Sequence, residues 1–112
     1  MKYKLRYSTQ SCRDLEEIWD YIVAELQNPS AAARIVNAIM DSADQLIDFA
    51  EMGAPLSSIA NIESDYRFLM HENYLTFYRV HGDEIYVYRV LYGRRDYLRI
   101  LFGDILKEET AE

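Results

Sequence analysis

The chain has 112 residues, half of them hydrophobic, with 19 Asp and Glu against 12 Lys and Arg and a net charge of −7. That length builds one domain with a two-layer core, and the apolar content excludes disorder. No apolar run approaches the about 20 residues that span a bilayer, and an acidic globule repels nucleic acid as a whole, because phosphate contacts supply most of that affinity.

The opening "MKYKLRYST" alternates charged and apolar residues, which argues against a signal peptide and for a first strand with Tyr3, Leu5 and Tyr7 on one face. Ser8 or Ser11 then caps a helix, Ser11 and Asp14 having the spacing of a capping box. In that helix Leu15, Ile18, Trp19, Ile22, Val23 and Leu26 recur at steps of three and four, which predicts one buried stripe. Glu16, Glu17, Asp20 and Glu25 form the opposite, solvated face.

Asn28 and Pro29 restart the chain as cap and first turn of a second helix. Ile35, Val36, Ile39, Ala43, Leu46, Ile47 and Ala50 are its predicted inner face. That helix is expected to run about 22 residues, or roughly 33 Å. Gly53 is the expected left-handed stop, and Pro55 prevents resumption. The short link makes the two helices an antiparallel hairpin.

An irregular loop covers Ser57 to Ser64, and three strands follow at about Tyr66–His71, Tyr74–Val80 and Glu84–Tyr92. Gly82-Asp83 is a two-residue hairpin signal with glycine first. The "HEN" turn can have two or three residues. A three-residue turn places Arg67 on the face of Arg79; a two-residue turn places it with Arg89. The fold class is therefore α+β: strand, helix, helix and three strands, an antiparallel sheet with the helical hairpin on one face and the other open to solvent or a partner. The segment "DYLRILFGDIL" adds a short C-terminal helix or arm. Residues 1–106 make the domain, and the acidic tail 107–112 frays.

Few residues invite chemistry. Cys12 is the lone cysteine, read as small core filler in a reducing cytoplasm, and it cannot build a cysteine zinc site. His71 and His81 fall at strand ends, where turn histidines are ordinary. There is no phosphate-binding glycine loop, nucleophile elbow or pair of histidines at metal-ligand spacing. The arginines are more informative. Met1 to Ser64 holds five Lys/Arg against ten acids, whereas Tyr66 to Arg99 holds six arginines against four acids. Arg67, Arg79 and Arg89 interrupt apolar strands, with Asp65 and Asp96 as available partners. Arg94, Arg95 and Arg99 cluster just beyond, and two adjacent guanidinium forks suit carboxylates or phosphates.

Four stretches carry a family resemblance: "STQSCRDLEEIWDYI", "EMGAPL", "YRFLMHENYLTFYRV" and "EIYVYRVLYGRRDY". Together they resemble the RelE/ParE superfamily of bacterial type II toxin–antitoxin toxins over nearly the whole chain. The last is the most specific, with Tyr92 where a histidine is frequent. The resemblance implies a β-α-α-β-β-β fold, no metal or cofactor, a cognate antitoxin as partner, a cytoplasmic location, and a homodimer as a state compatible with antitoxin-free protein. It also implies one of two activities. The RelE-like branch cleaves mRNA on the ribosome with basic side chains and a tyrosine, histidine or glutamate. The ParE-like branch, associated with plasmid stabilisation, poisons DNA gyrase by binding.

Carried across residue by residue, Arg67, Arg95 and Tyr92 are the groups a nuclease would use. Leu69 and Leu75 stand where that branch has basic residues, and Leu101 where it has an aromatic. The "GRRD" ending is ParE-like. Inhibition of gyrase is the expected function and ribosome-dependent RNA cleavage the alternative. Arg67, Arg79, Arg89, Arg94, Arg95 and Arg99 are the expected contacts to target or antitoxin.

Overall fold

A computed structural model describes residues 2–59 and 63–93. The first strand, β1 (Lys4–Tyr7), leads into helix α1 (Thr9–Leu26), helix α2 (Pro29–Asp44) and a 3-10 turn at Gln45–Ile47. A two-residue strand β2 (Ala54–Pro55) and a second 3-10 turn (Leu56–Ser58) precede β3 (Arg67–His71), β4 (Tyr74–His81) and β5 (Glu84–Tyr92). The sheet order is β1-β5-β4-β3-β2.

The three-strand meander is antiparallel as expected, but β1 pairs parallel with β5, from Lys4 with Glu84 to Tyr7 with Val87, so the sheet is mixed. The chain leaves β1 through the helices, re-enters at the far edge, and walks back across the sheet until β5 lies beside β1. Sequence periodicity sees strands but not which edge closes on which, and the parallel pair escapes it.

Local chemistry explains the boundaries. Ser8, extended, caps α1 by accepting from Ser11 N at 2.9 Å, and Asn28 caps α2 by accepting from Ala31 N at 3.1 Å. Gln27, left-handed at φ 49°, turns the chain between the helices. α2 is shorter than expected because the chain tightens into the 3-10 turn at Gln45, burying Leu46. Gly53 is not left-handed; among the described residues only Gln27, Glu72 and Gly82 have positive φ. A Cβ at Gly53 would lie 2.6 Å from the Tyr78 hydroxyl and 2.7 Å from the Phe68 carbonyl, so close approach explains the glycine. Gly82 opens the β4–β5 hairpin at φ +61°, as the sequence suggests.

The helices pack Leu15, Ile22, Ala32, Ile35 and Ile39 against Val87 and Val90, with Leu5 and Tyr7 alongside. Farther along the same layer, Leu46 and Ala50 meet Tyr78 and Ile85. Two predicted inner positions stay largely outside: Trp19 is 38% exposed and Leu26 60%. Cys12 is exposed, not core filler, because it falls outside the stripe that runs through Ser11 and Leu15.

The sheet face away from the helices is covered over its central part, while Met70 and Tyr86 on the same face stay exposed. Leu75 and Phe77 alternate with the helix-facing Tyr74, Thr76 and Tyr78, and both are buried with Leu56, Tyr66, Phe68 and Leu91. Central strand β4 is therefore covered on both sides, which accounts for its run of four buried residues.

Candidate functional site

The three strand arginines do not converge. The β3–β4 turn has two residues, Glu72 and Asn73, with His71 opposite Tyr74. That register would align Arg67 with Arg89 if the sheet were regular. Instead a bulge between Phe77 and Tyr78 sets Tyr78 opposite Val87 and Phe77 opposite Arg89. One extra residue on β5 breaks the alternation, so Arg67 shares its row with Tyr78 and Val87, Arg79 with Tyr86, and Arg89 with Phe77. Neither parity read from the sequence holds.

Each of the three is already engaged. Arg67 is half-buried and donates to the Gly53 carbonyl at 2.6 Å and the Glu51 carbonyl at 3.4 Å, tying β3 to the segment after α2. Arg79 donates to Asp65 from two nitrogens at 3.0 and 3.3 Å and lies 5.0 Å above the Tyr66 ring. Burial alone would lower its pKa, but the Asp65 bonds and the neighbouring Tyr66 outweigh it, and the guanidinium is held above its usual range. Arg89, buried, binds Asp14 of α1 through two bonds of 2.8 and 3.0 Å, and the Val90 N–H donates to the same carboxylate at 3.0 Å. Asp65, one of the two acids that the sequence offers to the strand arginines, takes Arg79, whereas Arg89 takes Asp14 of α1.

Asp14 is the residue that reading the sequence misplaced. Its capping-box spacing from Ser11 is incidental, because Ser8 caps the helix. The available signal was its position, one step before Leu15 and three after Ser11 on the inward side of α1. A carboxylate there requires a buried partner.

Tyr92, half-buried, packs its ring on Tyr74 at 5.4 Å and 58°. Leu75 is 3% exposed, and Leu69 packs beside Tyr78 and Leu46. His71 is half-buried and His81 exposed, and no cluster of three or more His, Cys, Asp or Glu side chains able to hold a metal occurs among the described residues. Arg94, Arg95 and Arg99, together with the expected C-terminal arm and the tail 107–112, lie outside the described residues. Just before them, Gly93 donates to the Asn73 carbonyl at 2.6 Å, and a Cβ there would come within 3.1 Å of the same oxygen. That close approach ties the end of β5 to the β3–β4 turn and accounts for the glycine.

Residues 5–97 match the family model described as ParE toxin of the type II toxin–antitoxin system parDE. The chain belongs to the ParE toxin family. A solved chromosomal ParDE toxin–antitoxin system from P. aeruginosa contains a chain 26% identical to this one, with a TM-score of 0.69, covering 81% of this chain and 96% of the other. The toxin–antitoxin complex RelBE2 from Mycobacterium tuberculosis shares the fold at 20% identity and a TM-score of 0.61, covering 82% and 99%. Among curated protein sequences nothing matches. The ParE-family fold is thus the β-α-α-β-β-β arrangement expected from periodicity, extended here by β2. No helix among the described residues is long and apolar enough to cross a membrane.

Proposed function

We propose that this ParE-family chain is held inactive by a cognate antitoxin and, once released, inhibits DNA gyrase by binding instead of cleaving RNA. The observation that carries this reading is the packing at the positions where the RNA-cleaving branch places basic groups. Leu75 lies in the core on one sheet face, Leu69 packs on the other, and Arg67 has one guanidinium nitrogen on two backbone carbonyls. Restoring a lysine or arginine at Leu75 would bury a charge, so the site is built for packing. Cleavage of a phosphodiester needs several cations converging on one phosphate, and the strand arginines here occupy three different rows.

Target contact is assigned to Arg94, Arg95 and Arg99, which follow the strand end that Gly93 and Asn73 secure. Supporting contacts from Arg67, Arg79 and Arg89 are indirect, through the positions of the strands they brace. The protein would act in the cytoplasm, where gyrase is, and a homodimer is a state compatible with antitoxin-free protein. Purified protein is expected to block ATP-dependent supercoiling and to leave cleaved DNA trapped on gyrase. Codon-specific cuts in ribosome-bound message, with supercoiling unaffected, would establish the nuclease instead.

A further inference from the structure

The uncovered part of the outer sheet face includes the stretch where β1, β5 and β4 run side by side. Their registers set Arg6 opposite Tyr86 and Tyr86 opposite Arg79, so one row across three strands carries a tyrosine between two arginines. The next row carries Lys4, Glu84 and His81. Side chains of both rows point away from the helices, because Leu5, Val80, Ile85 and Val87 between them pack inward. Arg6, Arg79, His81, Glu84 and Tyr86 line a hollow of about 390 Å³ on this face. In a chain of net charge −7, these two rows hold two guanidiniums and an ammonium against one carboxylate.

The ring and the cations differ in freedom. Tyr86 is 39% exposed, whereas Tyr66, Phe68 and Phe77 of the same face are buried in packing. Its ring is thus a stacking surface in solvent with a positive charge on either side. Arg79 is fixed, donating to Asp65 from two nitrogens and lying 5.0 Å over the Tyr66 ring. Asp65 lines a different hollow, with Tyr66 and Arg67, so Arg79 presents its charge here while its acid sits on the far side. Arg6 is adaptable. It is exposed, and its 3.6 Å approach to Glu84 is too long for a hydrogen bond. Such a surface pair contributes little, and a phosphate offers Arg6 a stronger, bidentate partner.

We propose that this hollow binds a free nucleoside monophosphate, its base stacked on Tyr86 and its phosphate held by Arg6 in the field of Arg79 and Lys4. The volume falls at the small end of ligand sites, which suits one base, one sugar and one phosphate. Single-stranded nucleic acid calls for successive stacking surfaces along a basic groove. Among the described residues Tyr86 is the one exposed aromatic side chain of this face, so the site takes one base. It stands apart from the proposed target contact, since Tyr86 and Tyr92 at the end of β5 are six positions, or roughly 20 Å, apart along the strand. Nor does it use Arg67, Leu69, Leu75 or Tyr92. A ligand here would touch β1, β5 and β4 together and brace the parallel pair against the meander.

The test is calorimetric titration of the full chain with adenosine 5′-monophosphate, set against adenosine, ribose 5-phosphate and a hexa-adenylate strand. The monophosphate is expected to bind one per chain and to raise the melting temperature as its concentration rises. Adenosine and ribose 5-phosphate should each bind at least about tenfold more weakly, lacking the phosphate or the ring. Arg6→Gln and Tyr86→Thr should each weaken the monophosphate by about tenfold while the ligand-free melting temperature stays near that of the parent. Glu84→Gln removes the competing carboxylate and should tighten binding by about threefold, a gain that a damaged fold cannot produce.

Absence of monophosphate binding overturns the proposal, as does binding that Glu84→Gln leaves unchanged or weakens. Ribose 5-phosphate binding as tightly as the monophosphate would mean an anion site without a base, and hexa-adenylate binding alone would mean a nucleic-acid surface. Either result overturns it, as does monophosphate binding indifferent to both Arg6→Gln and Tyr86→Thr.

Discussion

Tyr7 shows how a single polar atom can be read. Its hydroxyl is buried and meets no hydrogen-bond partner among the described residues, whereas the equally buried Tyr78 hydroxyl donates to the Ala50 carbonyl at 2.9 Å and accepts from Gly53 N at 3.0 Å. An unpaired buried hydroxyl costs about 1–3 kcal/mol in lost hydration. Tyr7→Phe is therefore expected to be neutral or stabilising by about 1 kcal/mol at neutral pH. The pH dependence follows from the phenol's pKa, raised from 10.0 to about 12 by burial and by Asp44, Cys12 and Asp41. Above pH 10 the unfolded chain releases this proton while the folded chain keeps it. The contribution is thus fully present below pH 10 and lost as pH rises toward 12, and Tyr7→Phe should unfold with a shallower alkaline slope than the parent. Thermal melts at neutral pH and about pH 11 make the comparison, and destabilisation by about 1 kcal/mol at neutral pH would mean that the hydroxyl is bonded after all.

At the scale of elements, the junction of α1 with β5 organises the fold. β1 ends at Tyr7 because Ser8 begins the helix, which leaves the edge of β5 beyond Val87 without a strand partner. Side chains from α1 and its cap take over that edge. The Ser8 hydroxyl donates to the Tyr88 carbonyl at 2.7 Å, and Asp14 accepts from Val90 N and from Arg89. The arrangement converts a strand edge into a helix contact and shields it from pairing with another chain. Asp14 is 3% exposed, so removing its guanidinium partner strands a carboxylate in the core. Arg89→Met is expected to cost about 3 kcal/mol or more in denaturant unfolding, and Asp14→Leu/Arg89→Met to recover most of that loss. A double variant as unstable as the single one would show that the carboxylate is not the source of the cost.

Along the whole chain, charge is unevenly spread, with seven acids against two arginines from Thr9 to Asp44 and six arginines against four acids from Tyr66 to Arg99. The helical layer is acidic, while the six arginines from Arg67 to Arg99 follow on the strands and beyond. Arg67, Arg79 and Arg89 spend their donors internally, on carbonyls, Asp65 and Asp14. Under the proposed function, recognition falls to the "GRRD" end, and Arg94→Ala/Arg95→Ala should abolish growth inhibition in cells while leaving the melting temperature close to that of the parent. Losing a solvated arginine typically costs under about 1 kcal/mol. A folded double variant that still arrests growth like the parent would remove these residues from the target contact. Arg79→Ala, by contrast, should act through the Tyr66 and Asp65 contacts, and so through stability.

The order of elements, the two helix caps, the β4–β5 hairpin at Gly82 and the ParE-family membership could all be read from the residues in line. Each rests on local chemistry: periodicity, a capping side chain, a glycine that tolerates positive φ, or a contiguous motif. What tertiary structure alone decided were the parallel pairing of β1 with β5, the burial of strand β4 on both faces and the partners of Arg67, Arg79 and Arg89. A one-residue bulge changed which strand residues share a row, and no count of turn length could reveal it, because bulges arise from how two strands twist against each other. Asp14 and Arg89 lie 75 positions apart, and their pairing depends on α1 crossing the end of β5. Long-range contacts of this kind follow from the packing of whole elements, to which local spacing is blind.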